Sequence, residues 1–492
     1  MPSNTGEPNW SNQTIWTGDN LEIMRGMNSA SVDLIYLDPP FNSKANYAAP
    51  IGSKAAGAAF KDIWTLTDVD VEWINLIEAK YPSLYRVLLA TIKASDKAYL
   101  VYMSTRLLEM HRLLKNTGSI WLHCDPTMSH YLKLVMDAIF GPSQFLNEII
   151  WRRAASHNDN KQGMRRAGKV HDILLLYRKT DNHIWNPIFT AYTQEYLDSE
   201  YDNRTDDGRY FKESDLTAAK PGGDTEYEWR VKRPRFGGAW VADIDDEYLN
   251  PKSDWEYRAI PPYRGRYWAY SKENLRQFWH EGRLYHRTTG MPRLMLFSDE
   301  MPGVPLQDVW QDIPPASGRE RTGFRTQKPV ALLERIIGLS TNPGDMILDP
   351  FCGCATTLVA AEAFELKRHW AGIDISQKAV ELVRDRMRKE RGLFFRGSVR
   401  TDIPQRTDMG QLIRFNDARN KRLLYGEQGG HCRGCDGHFE LRHFEVDHII
   451  ARAKGGTDHI DNLQLLCGNC NRVKGDRGME YLRTKLQLPK AA

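Results

Sequence analysis

The amino-acid sequence predicts an α/β protein built on an open, largely parallel sheet. Two short apolar runs, VDLIYL at residues 32–37 and MILDPF at residues 346–351, have the composition of strands that are buried on both faces. A helical pattern and then HWAGIDI at residues 369–375 follow the second run, which completes a β-α-β unit. Ligands of such sheets bind beyond the carboxyl ends of the strands, so the residues that follow these runs form the candidate site.

Length and composition limit the class of protein. The chain has 492 residues, of which 41% are hydrophobic and 26% charged, and its net charge is +4. At about 150 residues per domain, this is a globular protein of about three domains, and intrinsic disorder is excluded as its main state. No apolar run reaches about 18 residues and the first residues lack a signal-peptide pattern, so we expect a cytoplasmic protein without a membrane partner. The small net charge does not identify a nucleic-acid partner.

The tetrapeptide Asp38-Pro39-Pro40-Phe41 follows the first predicted strand. Its two prolines fix φ and lack N–H donors, so the turn is rigid and presents carbonyl oxygens. A carboxylate and a rigid carbonyl can accept both hydrogens of an exocyclic amino group, which directs the nitrogen lone pair at an electrophile. The ring of Phe41 supplies a face on which a base can stack.

A second turn, residues 349–353, ends the strand MILDPF and opens a helix. Its small residues let the backbone approach a nucleoside closely, and Asp374 at the end of the next strand can bind ribose hydroxyls. Either feature alone is weak evidence. Together they predict a nucleoside site in the β-α-β unit.

These residues resemble the amino-group DNA methyltransferases that use S-adenosylmethionine. GDNLEIMRGM and SVDLIYLDPPFNS carry that family's catalytic motif, and TQKPVALLERIIGLSTNPGDMILDPFCGCATT carries its cofactor motifs. The catalytic motif comes first, as in the β class of the family, and the resemblance covers residues 17–390. It implies a permuted Rossmann-like sheet, S-adenosylmethionine as cofactor and double-stranded DNA as partner, with a homodimer as one expected state.

The resemblance also implies a role for each motif residue. Asp38 and Pro39 would hold the target amino group in the turn that Pro40 completes, and Phe41 would stack on a base flipped out of the duplex. The residues assigned to the cofactor are Asp349, Phe351, Gly353, Asp374, Thr326, Gln327 and Lys328. Of these, Asp374 would bind the ribose, and residues 326–328 would lie near the methionine part.

One position departs from the family pattern. Members usually have Gly-x-Gly where this chain has Gly353-Cys354-Ala355. If position 355 requires a positive φ, alanine costs about 1 kcal/mol or more there, and weaker cofactor binding follows.

The aspartate that leads the catalytic motif favours adenine as the target base. In this family, Asp is more usual for methylation of adenine N6, whereas Ser tends to lead the motif for cytosine N4. A protein-glutamine or RNA amino methyltransferase can share a motif of this type and is an alternative. The motif order and the large central insert argue against it.

Residues 152–320 lie between the two halves and lack strong periodicity. Aromatic residues, arginine, proline and glycine crowd together there, as in EYEWRVKRPRFGGAW at residues 226–240. Interleaved aromatic and cationic side chains can stack on bases and hold phosphates. The alternative is an irregular β-rich insert whose aromatic residues form its own core, and the sequence leaves both interpretations open.

Four cysteines near the C-terminus form two CxxC pairs, Cys432 with Cys435 and Cys467 with Cys470. This spacing is typical of a closed tetrahedral zinc site. So small a module buries little apolar surface, and zinc would therefore contribute its folding energy.

The sequence FEVDHIIARAKGGTDHIDNLQLL, followed by CGNCNRVKGDR, resembles the HNH nuclease family of ββα-metal folds. The resemblance implies that His448 is the general base and that Asp447 and Asn471 hold Mg²⁺ or Mn²⁺ against the scissile phosphate. Asn462 would orient the loop. Many members have His at the position of Asn471. The alternative is an inactive zinc ribbon that only binds DNA, but the presence of Asp447 and His448 favours activity.

We therefore divide the chain into six segments: a catalytic half (1–151), an insert with the target-recognition region (152–320), a cofactor-binding half (321–395), a linker (396–424), an HNH domain (425–480) and a tail (481–492). The predicted function is adenine N6 methylation combined with metal-dependent DNA cleavage, as in restriction-modification. Two alternatives remain open. One is a solitary adenine-N6 or cytosine-N4 methyltransferase whose HNH module only binds DNA, and the other is a nuclease that attacks methylated DNA.

Overall fold

The computed structural model of the protein describes residues 6–41, 46–48, 59–61, 73–74, 76–78, 80–154, 165, 167–205, 207–322, 326–363, 367–391, 397–408, 413–452 and 456–486. The chain forms two compact units, one from residues 1–186 with 307–492 and one from residues 187–306. Within the described ranges, no helix has both the length and the apolar character needed to cross a membrane.

The first part of the larger unit alternates strands and helices. Its elements are β1 (Thr14–Thr17), α1 (Asn20–Gly26), β2 (Val32–Leu37), β3 (Asn46–Ala48), β4 (Ala59–Lys61), α2 (Pro82–Leu89), α3 (Ala94–Leu113), β5 (Leu114–Cys124), α4 (Ser129–Phe140), β6 (Phe145–Arg152) and β7 (His171–Arg178).

The smaller unit consists mainly of short antiparallel strands. Its elements are β8 (Phe189–Thr190), α5 (Gln194–Glu200), β9 (Asn203–Arg204), β10 (Tyr210–Ser214), β11 (Thr217–Ala218), β12 (Trp229–Pro234), β13 (Val241–Ala242), β14 (Trp255–Ile260), β15 (Tyr267–Trp268), α6 (Lys272–His280), β16 (Leu284–His286), β17 (Pro292–Phe297) and β18 (Val304–Pro305).

The chain then returns to the larger unit and ends in a small module. The elements of this part are β19 (Val309–Trp310), α7 (Val330–Ser340), β20 (Met346–Asp349), α8 (Thr356–Ala361), β21 (His369–Asp374), α9 (Gln377–Arg391), β22 (Ser398–Arg400), α10 (Ala418–Glu427), β23 (Phe444–His448), β24 (Leu463–Cys467), α11 (Gly468–Lys474) and α12 (Met479–Lys485).

Nine strands of the described residues form one sheet, in the order β19-β6-β7-β5-β2-β20-β21-β1-β22. The neighbours in this sheet are parallel except at β7, which runs antiparallel to both β5 and β6. Strand β2 from the first half of the chain lies beside β20 from the second half, with Ile35 opposite Leu348. Both halves therefore share one sheet, and the predicted permuted α/β fold is confirmed.

The strand that carries the catalytic motif is held by burial on both of its faces. Every residue of β2 is buried, as its continuous apolar run predicts. Its side chains join a large apolar core that also receives residues from β5, β7, β20 and β21. The residues that follow β2 are thus attached to a fully buried strand of this core.

The structure differs from the predicted boundaries of the insert and the linker. Strand β7 falls within the predicted insert (152–320), yet it lies inside the main sheet because its apolar residues, such as Leu174 and Leu175, are fully buried there. Strand β22 falls within the predicted linker (396–424), yet it pairs with β1.

The C-terminal module begins earlier than the predicted residue 425. Helix α10 starts at Ala418, and its Leu424 is buried in the core of this module together with Phe444 and Leu465. Phe415, which precedes the helix, packs against the same core. The boundary was missed because α10 is rich in charged residues and joins the core through few apolar contacts.

The smaller unit has an apolar core of its own. Trp229, Trp240 and Trp268 are buried in it, so for these aromatic residues the structure favours the structural interpretation over base stacking. Phe236 differs, because it lies in the turn between β12 and β13 and is 96% exposed.

Candidate active sites

Three predicted acidic residues follow adjacent strands at one edge of the main sheet. Asp38 follows β2, whereas Asp349 and Asp374 end β20 and β21. These strands are parallel neighbours, so their carboxyl ends meet at the same edge. The carboxylates are close enough that Asp38 and Asp374 contribute to the raised pKa of Asp349. The structure therefore brings the predicted catalytic and cofactor residues together.

Asp38 is largely buried and forms an ion pair with Lys328. The ammonium Nζ of Lys328 lies 2.6 Å from Oδ2 of Asp38 and 5.3 Å from the centroid of the Phe41 ring. Pro39 is buried and Pro40 half-buried. The carboxylate of Asp38, the ammonium of Lys328 and the ring of Phe41 thus lie close together.

Phe41 packs against a buried polar network. Phe41 stacks on the imidazole of His123, with ring centroids 6.1 Å apart and planes inclined by 22°. One ring nitrogen of His123 lies 2.9 Å from the hydroxyl of Tyr36, and the other lies 3.2 Å from Asp172, whose second oxygen is 2.8 Å from Arg153. Sequence reasoning missed His123 and Asp172. The available signal was a polar residue inside each of two apolar strands, β5 and β7.

Asp349 organises the turn that follows β20. Its Oδ1 accepts a hydrogen bond from the backbone N–H of Phe351 (3.0 Å), and its Oδ2 accepts one from the hydroxyl of Thr357 (2.5 Å). Burial raises the pKa of this carboxyl to about 7, although these hydrogen bonds oppose the shift. Both oxygens are therefore engaged inside the turn.

Asp374 connects the turn after β20 to the loop after β21. Its Oδ2 accepts from the N–H of Gly353 (2.9 Å) and its Oδ1 from the N–H of Ser376 (2.8 Å). Burial raises the pKa of this carboxyl as well. A carboxylate has about four lone-pair sites, so it can accept further donors such as ribose hydroxyls.

The left-handed conformation expected from the Gly-Cys-Ala departure is present. Gly353 has a φ of +46° and Ala355 a φ of +65°. Alanine is strained in this region by about 1 kcal/mol, whereas glycine adopts it freely. The positive φ at position 355 explains why glycine is usual there, and in this chain Ala355 is strained.

A contact chain that sequence reasoning missed connects α1 to the cofactor turn. Asn20 donates to the carbonyl of Pro350 (2.8 Å) and accepts from Arg106 (2.7 Å). The guanidinium of Arg106 lies over the ring of Tyr102, which packs against Phe351 with centroids 6.4 Å apart. The motif GDN at residues 18–20 includes Asn20, but the motif alone does not tell which groups Asn20 contacts.

The segment that carries Lys328 is fixed by its neighbour. Gln327 donates to the carbonyl of Glu320 (2.8 Å), and its side-chain oxygen accepts from the N–H and the hydroxyl of Thr322. The carbonyl oxygen of Thr326 lies 3.3 Å from Nζ of Lys328. Gln327 therefore holds its own segment in place, and its predicted contact with the cofactor stays a prediction.

The four C-terminal cysteines converge on one point. The thiol sulfurs of Cys432, Cys435, Cys467 and Cys470 all lie within 4.8 Å of one another. A tetrahedral zinc ion with Zn–S bonds of about 2.3 Å needs sulfurs about 3.8 Å apart, so this set fits zinc. The N–H groups of Gly434 and Cys467 point at the sulfur of Cys432, at 3.4 Å and 3.1 Å, which favours a thiolate.

His448 ends β23 and is held by two side chains. Its Nε2 lies 2.8 Å from Oδ1 of Asp458, and the ring of Phe415 packs against it with centroids 4.7 Å apart. Asp458 was not among the predicted residues. Asn462 secures the loop between them, because it bonds both the N–H and the carbonyl of Ile450 and the carbonyl of Thr457.

Asp447 and Asn471, which are predicted to hold a divalent metal, contact other side chains in this structure. Asp447 accepts from Gln464 (2.8 Å) and pairs with the buried ammonium of Lys474 at 3.1 Å. Asn471 donates to Glu445 (2.5 Å). Burial raises the pKa of Asp447, against the effect of Lys474. Carboxylate and amide oxygens are suitable ligands for Mg²⁺, so the donor chemistry fits the prediction.

Comparison with known proteins gives two family matches. The DNA methylase family model matches residues 32–385, and the HNH endonuclease family model matches residues 432–477. The type II methyltransferase M.EcaI of Enterobacter cloacae is 29% identical over 378 residues, which cover 76% of this chain and 69% of that protein. The Mod subunit of the type III restriction-modification enzyme StyLTI of Salmonella typhimurium is 25% identical over 366 residues, which cover 70% and 49%. The solved M1.HpyAVI–SAM complex is 15% identical with a TM-score of 0.34 and covers 76% of this chain and 98% of that one.

Proposed function

Because the chain belongs to the DNA methylase family, whose model matches residues 32–385, we propose that it transfers a methyl group from S-adenosylmethionine to N6 of adenine in double-stranded DNA. The observation that carries this proposal is the position of Asp38, which follows β2 at the edge of the sheet where the turn after β20 also lies. The Asp that leads the motif supports adenine over cytosine.

In the proposed reaction the target adenine leaves the base stack, because its amino group cannot reach the site inside a duplex. Phe41 stacks on the flipped base, and the Asp38 carboxylate and the Pro39 carbonyl accept the two amino hydrogens. Bound S-adenosylmethionine supplies a methyl group on a positively charged sulfur. Transfer of that methyl group to the amino nitrogen would release one amino proton, which the Asp38 carboxylate would accept.

The cofactor-binding residues follow from the same geometry. We assign the ribose hydroxyls to Asp374, since its carboxylate retains lone pairs beyond those used by Gly353 and Ser376. Phe351 and Gly353 would line the nucleoside, while Asp349 shapes the turn from inside. The homodimer expected from the resemblance stays a prediction that sedimentation can test.

The identity of the methylated base is the first expected result. Incubation of the protein with DNA and labelled S-adenosylmethionine should place the label on adenine N6, measured by nucleoside mass spectrometry. RNA and a glutamine-containing peptide serve as control substrates and should remain unlabelled. Label found only in N4-methylcytosine would contradict the adenine assignment but not the reaction type.

We also propose that the C-terminal module cleaves DNA, since the HNH endonuclease model matches it. His448 would take a proton from water, with Asp458 at its Nε2 fixing the orientation of the imidazole. Asp447 and Asn471 would hold Mg²⁺ or Mn²⁺, which supplies charge stabilisation at the scissile phosphate. Together with the methyltransferase this supports restriction-modification, in which methylation of a site blocks its cleavage.

Replacing His448 with alanine should lower the metal-dependent cleavage rate by about 100-fold or more, because general-base catalysis contributes 10²–10⁴-fold. The methylation rate should stay unchanged. The exposed His443 of the same module provides the matched control, and His443→Ala should cleave normally. Absence of cleavage by the wild type would favour the DNA-binding alternative, whereas cleavage of premethylated DNA alone would favour the methylation-dependent one.

A further inference from the structure

Lys328 reaches the catalytic carboxylate from a distant part of the sequence. The residue is 8% exposed, and its ammonium lies 2.6 Å from Oδ2 of Asp38 and 3.3 Å from the carbonyl oxygen of Thr326. It also lies over the ring of Phe41 at 5.3 Å from the centroid. The resemblance implied a contact with the methionine part of the cofactor, whereas in the structure this cation contacts Asp38 and lies over the ring of Phe41.

The charges at this edge of the sheet explain why a cation is needed. Asp38, Asp349 and Asp374 converge there, and the charges of Asp38 and Asp374 contribute to the raised pKa of Asp349. A buried carboxylate without a partner is strongly destabilised relative to its protonated form. Lys328 is the cation that contacts Asp38 among the described residues. Without it, the Asp38 carboxylate would lose its cationic contact among the described residues, and with it the contact that fixes the orientation of its oxygens.

The positive charge of Lys328 also acts beyond Asp38. Burial would raise the pKa of Asp172, but the hydrogen bond from His123 and the charges of Lys328 and Arg153 hold it below its usual value. Asp172 in turn binds His123, on which Phe41 stacks. The ammonium of Lys328 thus acts on Asp38 directly and also on Asp172, the residue that binds His123.

The geometry leaves one oxygen of Asp38 for a substrate. The ammonium engages Oδ2, and within the described ranges no protein donor contacts Oδ1. We propose that Lys328 is a positioning residue for methyl transfer: it holds Oδ2 and thereby orients the Asp38 carboxylate, so that Oδ1 accepts an N–H of the target amino group. This proposal rests on the proposed methyltransferase function and adds a role to a residue otherwise assigned to the cofactor.

The surrounding chain holds Lys328 in this position from both sides. Gln327 is anchored on the segment at Glu320 and Thr322. On the other side, the helix α7 begins after Pro329, and the N–H of Val330 donates to the Glu320 carboxylate at 2.6 Å. The backbone on both sides of Lys328 is therefore anchored to the same segment, at Glu320 and Thr322.

The two roles of Lys328 predict different results for Lys328→Met. A positioning role predicts that kcat for methylation falls by about 100-fold, since a small misplacement of a reacting group costs that much, while the Kd for S-adenosylmethionine changes by less than about threefold. Lys328→Arg, which keeps the charge, should retain intermediate activity. A Kd that rises at least about tenfold with kcat unchanged would overturn the proposal and support the cofactor role.

Chemical rescue separates a role of the ammonium from a role in folding. Lys328→Ala removes the side chain and leaves room for a small amine, so added ethylammonium should restore kcat by about tenfold in a saturable way. Asp38→Ala should not respond, and Lys378→Met, at a half-exposed lysine on α9, serves as the matched control. Failure of ethylammonium and of Lys328→Arg to restore any activity would refute the positioning role. A wild-type protein without methyl transfer would contradict the proposed function itself, and this proposal with it.

Discussion

Replacing Asp38 with alanine should lower the methylation rate by about 10³-fold or more, because no other group in the described contacts can take over its hydrogen bond to the target amine. The loss should appear in kcat, since the carboxylate acts on the reacting nitrogen. The Kd for S-adenosylmethionine should stay nearly constant, because Asp349 and Asp374 hold the cofactor turn independently of Asp38. Methyl incorporation under single-turnover conditions measures the first quantity, and calorimetry measures the second.

Two variants make this experiment specific. Asp38→Asn preserves the shape but removes the charge, so it should lose most of the activity and weaken the attraction of Lys328. Asp181→Ala, at a carboxylate that is 81% exposed, should behave as the wild type. Methylation by Asp38→Ala at the wild-type rate would remove this residue from the catalytic assignment.

The positions of the three acidic residues at the ends of strands follow from local sequence. Asp38, Asp349 and Asp374 each follow a run of apolar residues, and such a run is typical of a buried strand, whose carboxyl end lies at the ligand edge of the sheet. The departure from Gly-x-Gly also marked position 355 as one where a positive φ would strain alanine, and Ala355 has a positive φ in the structure. These features depend on a few neighbouring residues, so the sequence contains them directly.

Contacts between distant residues could not be predicted in the same way. Lys328 and Asp38 are 290 positions apart, and only the pairing of β2 with β20 brings their segments together. The network of His123 with Tyr36 and Asp172 likewise depends on the register of three strands. A sequence pattern marks such residues as polar within apolar runs but does not identify their partners.

The domain boundaries were displaced for a related reason. Strand β22 has three residues, so its pattern is too short to recognise, and it exists because β1 offers a free sheet edge. Strand β7 was recognisable as a strand, but its neighbours β5 and β6 precede the insert in sequence. Pairing across the sheet, rather than composition, decides which unit such a segment belongs to.

The second large effect is expected from the cysteine cluster. Cys432, Cys467 and Cys470 are themselves part of the small apolar core of the C-terminal module, beside Phe444 and Leu465. Zinc binding contributes about 10–16 kcal/mol in comparable modules, so Cys470→Ala should unfold this module. Cleavage should be lost and residues 413–486 should become sensitive to protease. Methylation should continue, because the main sheet has a large core of its own and shares only the small cluster of Leu76, Ile449 and Ile450 with the module among the described core clusters.

Metal analysis gives the decisive measurement for this prediction. The wild type should contain about one zinc ion per chain, and a strong chelator should reproduce the protease sensitivity of Cys470→Ala. Cys124→Ala, at a buried cysteine of the main sheet, should retain the zinc and the protected module. A metal-free protein whose C-terminal module stays protected would show that the thiols pack as apolar residues. Loss of methylation together with zinc would instead show that the module supports the methyltransferase sheet through the apolar cluster of Leu76, Ile449 and Ile450.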